Sequence, residues 1–275
     1  MRILITGASG RIGKSLGYSL LNLGHDVWGV APSPSDILFS GYSICDVTNP
    51  KELNNILLAD LSKCGWNHLD VLILAAAKME PKGPALSIPL ETWAVPLRTC
   101  LEGSFYPISV LFNLLKGSPT IPRRKIICFS GGGADRGHPG FSSASAAKAG
   151  LIRLVETLSL EWSNEPIDIN ILAPGSHRIP RSNLVGTNIL NSPEFENLLN
   201  MIAFLISEQS DGFTGKWVSA QIHHVDFLKQ NLKAWSEDSD EFTLRPKTPR
   251  SQIEQKASKN HLFWQKIKFF GVKKD

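Results

Sequence analysis

No stretch of this 275-residue chain approaches the roughly 20 consecutive apolar residues that a membrane-spanning helix requires. Cysteine is scarce. Cys45, Cys64, Cys100 and Cys128 stand far apart with no paired spacing, which suggests neither a zinc site nor a disulfide framework. A reduced, cytoplasmic setting is the expectation. Charge of one sign is also lacking: 29 basic against 25 acidic side chains give a net +4, too little to imply a nucleic-acid partner. The N-terminus has no signal-peptide pattern, because Met1-Arg2 leads directly into Ile3-Leu4-Ile5 and a glycine loop, so the fold is expected to start at residue 2.

Hydrophobic residues make up 42% of the chain and charged residues 20%, an ordinary globular composition that excludes disordered and collagenous chains. The surplus positive charge is local. From Lys233 onward there are ten Lys/Arg and six Asp/Glu, so the remainder is neutral. This shift places a boundary near residue 230, with a single globular domain over 1–230 and a polar extension over 231–275. The extension begins as a linker, with an acidic run from Ser236 to Glu241 and a basic, proline-bearing run from Arg245 to Arg250. It ends in aromatics interleaved with lysines from His261 to Lys274. That pattern suits weak contact with an anionic membrane surface or a partner protein; the alternative is a segment folded back on its own body or a sister subunit.

Within the body, short apolar runs alternate with amphipathic ones. The runs Ile3–Thr6, Asp26–Val30, Tyr42–Asp46, Val71–Ala75, Lys125–Ser130 and Asp168–Ala173 are mostly apolar on both faces, as parallel strands covered by helices on each side must be. Helical patterns fill Ile12–Leu23, Lys51–Ser62, Leu90–Lys116 (interrupted by Pro96 and Pro107) and Ser142–Ser163. This alternation predicts an α/β fold, a Rossmann-type doubly wound parallel sheet with ligands at the carboxyl ends of its strands.

Between the first strand and the first helix stands Thr6-Gly7-Ala8-Ser9-Gly10-Arg11-Ile12-Gly13. Glycines three apart allow a tight turn and close approach of backbone to a pyrophosphate seated at the helix N-terminus. Gly7, Ser9, Gly10, Arg11, Ile12 and Gly13 are therefore candidate nucleotide-binding residues; the alternative is a purely structural turn. An NAD site usually has an acidic residue at the end of the second strand. Here that end reads Val30-Ala31-Pro32-Ser33, without an acid. Arg11 could meet a 2′-phosphate instead, which points toward NADP over NAD, unless Arg11 is simply a solvated surface charge.

These motifs resemble the short-chain dehydrogenase/reductase family over roughly residues 1–221. Besides the glycine loop, the resemblance rests on Cys45-Asp46-Val47-Thr48 after the third strand, Ser130 closing the fifth, Lys148 on the next helix and Pro174-Gly175 after the sixth. Phe213-Thr214-Gly215-Lys216-Trp217-Val218 looks like the family's last strand and its approach. The loop departs from the common form, with Gly10-Arg11 where a basic residue would precede glycine. The resemblance implies an NAD(P)-dependent oxidoreductase of alcohols or carbonyls that acts on a small molecule as a homodimer or homotetramer. It assigns Asp46 to the adenine amino group, and Val47 and Ala75, which follow the third and fourth strands, to cofactor binding. Pro174-Gly175 falls beside the nicotinamide, and Lys148 at its ribose.

The resemblance also implies four catalytic groups, Asn, Ser, Tyr and Lys, with the tyrosine four residues before the lysine because i and i+4 share a helix face. Lys148 is present, but Ala144 stands four residues earlier, and the chain's tyrosines are Tyr18, Tyr42 and Tyr106. Cys100 occupies the asparagine position, and Ala75-Ala76-Ala77-Lys78 replaces the asparagine-rich turn after the fourth strand. Ser130 is the candidate substrate serine, with Gly131 the alternative. An alanine methyl transfers no proton, so the standard mechanism is not open to this chain. His138 and His177 are candidate substitutes by their pKa range. Ser143 and Ser145 are weaker ones, expected instead to serve helix N-terminal hydrogen bonding. Three functions follow: an NAD(P)-binding oxidoreductase with impaired or rebuilt acid–base chemistry, a non-catalytic dinucleotide-binding regulatory protein, or a non-redox or sugar-nucleotide enzyme on the same scaffold. The segment 176–192 is expected to face substrate but has no recognisable pocket chemistry.

Overall fold

The computed structural model describes residues 1–116, 119–131, 133–134, 136–175, 192–237 and 243. Seven described strands form one parallel sheet: β1 (Arg2–Thr6), β2 (Asp26–Ala31), β3 (Gly41–Ile44), β4 (Val71–Leu74), β5 (Arg124–Phe129), β6 (Ile167–Ala173) and β7 (Trp217–Ser219). Their order is β3-β2-β1-β4-β5-β6-β7, so the chain reverses direction across the sheet between β1 and β4. A crevice opens at that point beyond the carboxyl ends of the strands.

The strands are apolar on both faces because each face is covered. Ile3, Ile5, Val71, Ile73 and Ile127 share a core with Leu16 and Leu20 of α1 (Arg11–Asn22). Residues one step along each strand point the other way. That second face meets α6 (Gly103–Lys116) and α7 (Ser142–Glu161), which pack on β4, β5 and β6.

The helical run after β3 is continuous but not uniform. It comprises α2 (Pro50–Glu52), a π-turn over Leu53–Leu57 and α3 (Leu58–Lys63). The run before β5 breaks earlier than its prolines suggest, into α4 (Leu90–Trp93), α5 (Val95–Leu97) and a π-turn over Arg98–Glu102. Pro96 sits at the start of α5, where its missing N–H costs nothing, and Pro107 stays buried inside α6. The third strand is shorter than its apolar run because Asp46 turns away, its N–H donating to Glu52 Oε2 at 2.8 Å.

At the amino ends of β5 and β6 lies a buried charge network. Lys125 Nζ is 2.9 Å from Asp168 Oδ2 and 2.6 Å from Asp211 Oδ1, and Arg123 also reaches Asp168. It lies at the opposite end of the sheet from the crevice. Later in the chain come α8 (Pro193–Leu205), β7 and α9 (Val225–Glu237). Helix α9 runs across residue 230, and its Leu228 is buried in the core. The unit 244–275, which holds most of the predicted tail, lies outside the described residues.

Candidate nucleotide cleft and catalytic wall

The crevice is a cleft of about 370 Å³, within the range of ligand pockets. Its floor is the glycine loop, formed because Gly10 N donates to Gly7 O at 2.9 Å and Ala8 N to Val30 O at 3.1 Å. Gly7 has φ +68°, and a Cβ there would lie 2.8 Å from Ala76 backbone; a Cβ on Gly13 would lie 2.2 Å from Gly7 O. Only glycine allows the loop, helix α1 and the β4 turn to close on one another. Helix α1 starts with no side-chain cap and no acid in its first turn, which leaves its first N–H groups and positive end to an anion.

The other walls come from neighbouring strand ends. Ala31 and Pro32 follow β2, and Asp46, Val47 and Thr48 follow β3. The aspartate closes its own turn, Oδ1 accepting from Thr48 N at 2.9 Å and Thr48 Oγ1 at 2.8 Å. Ala75, Ala76, Ala77 and Lys78 continue β4, facing Val95, Arg98 and Thr99. Near the end of β2, where an acid is absent, Ser33 Oγ donates to Ser9 Oγ at 2.9 Å and Tyr42 Oη donates to Ser33 O at 2.6 Å. Burial pushes the Tyr42 hydroxyl above its ordinary pKa, partly offset by hydrogen bonding to Ser9.

The structure thus brings Gly7, Ser9, Gly10, Asp46, Val47 and Ala75 around one cleft. Gly13 supports the loop from α1, and Ile12 is half-buried beside it. Arg11 is exposed and does not line the cleft. Nor do Ser130, Lys148, Pro174 or Gly175; these gather at the ends of β5 and β6.

There Lys148 is only 3% exposed, with Nζ donating to Phe129 O at 2.6 Å. This burial rules out a solvated surface position for Lys148. Ala144 lies one turn earlier on the same buried face of α7. Ser130 is buried and its Oγ has no hydrogen-bond partner, whereas a Cβ added at Gly131 would meet open space. The strand end turns Ser130 inward and leaves the open position to its neighbour. Cys100 is buried in the π-turn, its Sγ donating to Lys78 O at 3.5 Å.

Ser143 and Ser145 do not perform the capping expected of them. Helix α7 has no side-chain cap, and both hydroxyls are buried without partners. The hydroxyl used near this helix start is that of Ser142, which accepts from Trp93 Nε1 at 2.9 Å. His138 is exposed and packs against Phe141 with the rings tilted at 54° and their centroids 4.7 Å apart. His177 and most of 176–192 lie outside the described residues. Sequence reasoning missed Lys78 and Arg98 as cleft-lining residues; both come from segments whose register only the fold reveals.

A doubly wound parallel sheet with a glycine loop at its switch point defines a Rossmann-type α/β fold. A family model described as enoyl-(acyl carrier protein) reductase matches residues 37–226. The chain is 31% identical over 216 residues to a 3-oxoacyl-(acyl-carrier-protein) reductase of Aggregatibacter actinomycetemcomitans, covering 73% of this chain and 83% of that one. It therefore belongs to the short-chain dehydrogenase/reductase family. Among solved structures it resembles Thermoplasma acidophilum aldohexose dehydrogenase, with TM-score 0.66, 19% identity and coverage of 82% of this chain and 95% of that one. It also resembles a 4-hydroxyisoleucine dehydrogenase complexed with NADH and succinate, with TM-score 0.66, 21% identity and coverage of 79% and 96%. Among the described residues, no helix is long and apolar enough to cross a membrane.

Proposed function

We propose that this chain binds a nicotinamide dinucleotide in the cleft and has lost its family's tyrosine-dependent proton transfer, leaving any oxidoreductase activity on a small-molecule alcohol or carbonyl strongly impaired. The observation that carries this reading is the pairing of a closed glycine cradle with a catalytic wall holding a methyl group at position 144. The cradle fits the cofactor. Gly7 and Gly13 leave backbone-only room, the uncapped end of α1 suits a pyrophosphate, and Asp46–Thr48 closes the side assigned to the adenine. When bound, the dinucleotide supplies a hydride donor or acceptor.

The chain's own contribution to proton movement is what is missing. Lys148 is positioned, but with no hydroxyl at 144 there is no acid for it to tune, and a positioned acid or base contributes about 10²- to 10⁴-fold to rate. A second reading, a non-catalytic protein that senses or stores the dinucleotide, is favoured by one observation: the Lys148 ammonium is buried on the Phe129 carbonyl. The reading also includes assembly as a homodimer or homotetramer through α6 and α7, where Phe105 and Leu160 are exposed.

Calorimetric titration with NADH and NADPH tests the binding; absence of both bindings overturns the proposal. Turnover is then compared between wild type and Gly131→Ser combined with Ala144→Tyr, position 131 having open space for the added side chain. A gain of about 10²-fold or more supports a cofactor-loaded site lacking its acid. No gain in a variant that still binds cofactor favours the non-catalytic reading.

A further inference from the structure

A groove of about 700 Å³ lies between the first turns of α8 and the chain that leaves β7, and it shares no lining residue with the nucleotide cleft. Its floor is fixed by contacts from three segments. Ala220 N donates to Ala173 O at 2.9 Å, continuing the β6–β7 pairing, and Asn197 Nδ2 of α8 donates to Ala220 O. The stem of Gln221 rests on Gly175: a Cβ on that glycine would lie 2.3 Å from Gln221 Cγ and 2.5 Å from Cδ. Glycine at 175 leaves the room that this stem occupies, so the Gln221 carboxamide lines the groove with part of its freedom already lost.

Ligand pockets are mostly apolar and aromatic. This one has no Phe, Tyr or Trp among its described lining residues, and its walls are carboxamides, carboxylates and an imidazole. Asn200 and His224 are exposed, and among the described residues their side chains make no hydrogen bond. An anion does not fit. Ser192 already caps α8, its Oγ accepting from Phe195 N at 3.2 Å, and Glu194 and Glu196 in the first turn answer the helix dipole. With those two carboxylates and no Lys or Arg among the described lining residues, the groove repels phosphate. No group of three His, Cys, Asp or Glu among the described residues could hold a metal ion. An organic cation only donates, and it would leave the carboxamide N–H groups without acceptors. Hydroxyl groups both donate and accept, as carboxamides do, and the C–H face of a hydroxylated chain or ring can rest on Pro193 and on Ile222, which is 69% exposed.

We infer that this groove is a binding site for a neutral polyhydroxylated small molecule, held by Asn200, Gln221 and His224. The site goes beyond the dinucleotide reading and does not depend on it.

The test is saturation-transfer NMR on the full chain, with sorbitol, glucose and inositol as probes and spermidine and inorganic phosphate as the competing classes. Wild type is compared with Asn200→Leu, His224→Leu and Gln221→Leu, and with Gln230→Leu, an exposed α9 position outside the lining. Asn200 and His224 are exposed, so their variants are expected to melt as wild type does. Leucine at 221 keeps a stem on Gly175 and removes the carboxamide. At least one polyol is expected to bind wild type and Gln230→Leu alike and to weaken about fivefold or more in each groove variant. The proposal is overturned if no polyol binds wild type, if polyol affinity is unchanged in both Asn200→Leu and His224→Leu, if Gln230→Leu loses as much as they do, or if spermidine or phosphate binds more tightly than every polyol.

Discussion

The glycine loop offers a graded perturbation whose order is set by distances alone. At Gly10 an added Cβ would lie 3.1 Å from Gly7 O, a few tenths of an ångström inside ordinary contact. At Gly13 it would lie 2.2 Å from the same oxygen, so restoring a 3.4 Å contact requires a retreat of about 1.2 Å. The obstructing atom is backbone, held by Gly10 N at 2.9 Å, and it cannot swing aside as a side chain would. Overpacking of this kind costs about 1–3 kcal/mol, and Gly13→Ala belongs at the top of that range. At about 2–4 °C per kcal/mol for a body of this size, its melting temperature falls by about 6–12 °C. Gly10→Ala is expected to shift it by about 1–4 °C, mostly through the poorer helix cap. Gly7→Ala joins the severe class, because φ +68° adds about 1–2 kcal/mol of left-handed strain to a 2.8 Å contact with Ala76. Calorimetric titration with NADPH alongside thermal melts should show nucleotide affinity falling in the same order. Equal losses for Gly10→Ala and Gly13→Ala, or a Gly13→Ala protein with wild-type melting and affinity, would refute the cradle geometry.

Asp168→Ala should lower stability by about 3 kcal/mol, the low end for breaking a buried pair, because Lys125 keeps Asp211 at 2.6 Å and Ser210 at 3.1 Å; a urea denaturation series reads this, and a loss under 1 kcal/mol would sink the account. One thiol per chain should react quickly with an aromatic disulfide reagent in the native protein and four after unfolding. Cys64 is exposed, while burial hides Cys45, Cys100 and Cys128 and pushes the Cys45 and Cys128 thiols up to about 12; two rapid equivalents would contradict the packing. Burial lowers the His223 pKa, and its Nδ1 accepts from Ser219 N at 3.0 Å, so the fold favours the neutral ring. The unfolded chain then binds the extra proton first, and this contribution is complete above the ordinary histidine pKa and lost as pH falls below it. Melting temperatures at pH 7.5 and 5.5 should differ less in His223→Gln than in wild type; an equal difference would remove His223 from the account.

Strand and helix identities in the body were legible from residue order because parallel strands covered on both sides must be apolar throughout, as Val71–Leu74 and Ile167–Ala173 are. The glycine loop was legible for a related reason: only glycine satisfies its backbone, so the requirement is written in the residue itself. The absence of a tyrosine beyond position 106 is likewise a property of the chain order. Where side chains ended up was not legible. The residues around Lys148 favour a cofactor-ribose role over a surface position, but only the fold brings the Phe129 carbonyl to 2.6 Å from its ammonium. Ser130 and Gly131 were alternatives on paper; the turn at the end of β5 buried one and left open space at the other. Ser143 and Ser145 carry the residue type of helix caps but make no caps, because capping depends on backbone geometry at the helix start and not on composition. Lys78 and Arg98 are 20 residues apart in the chain and share a cleft only because the β4 turn packs against the π-turn over Arg98–Glu102. Local requirements of backbone and periodicity are encoded residue by residue. Proximity between distant segments, and with it the charge of the cleft, exists only once the sheet order is established.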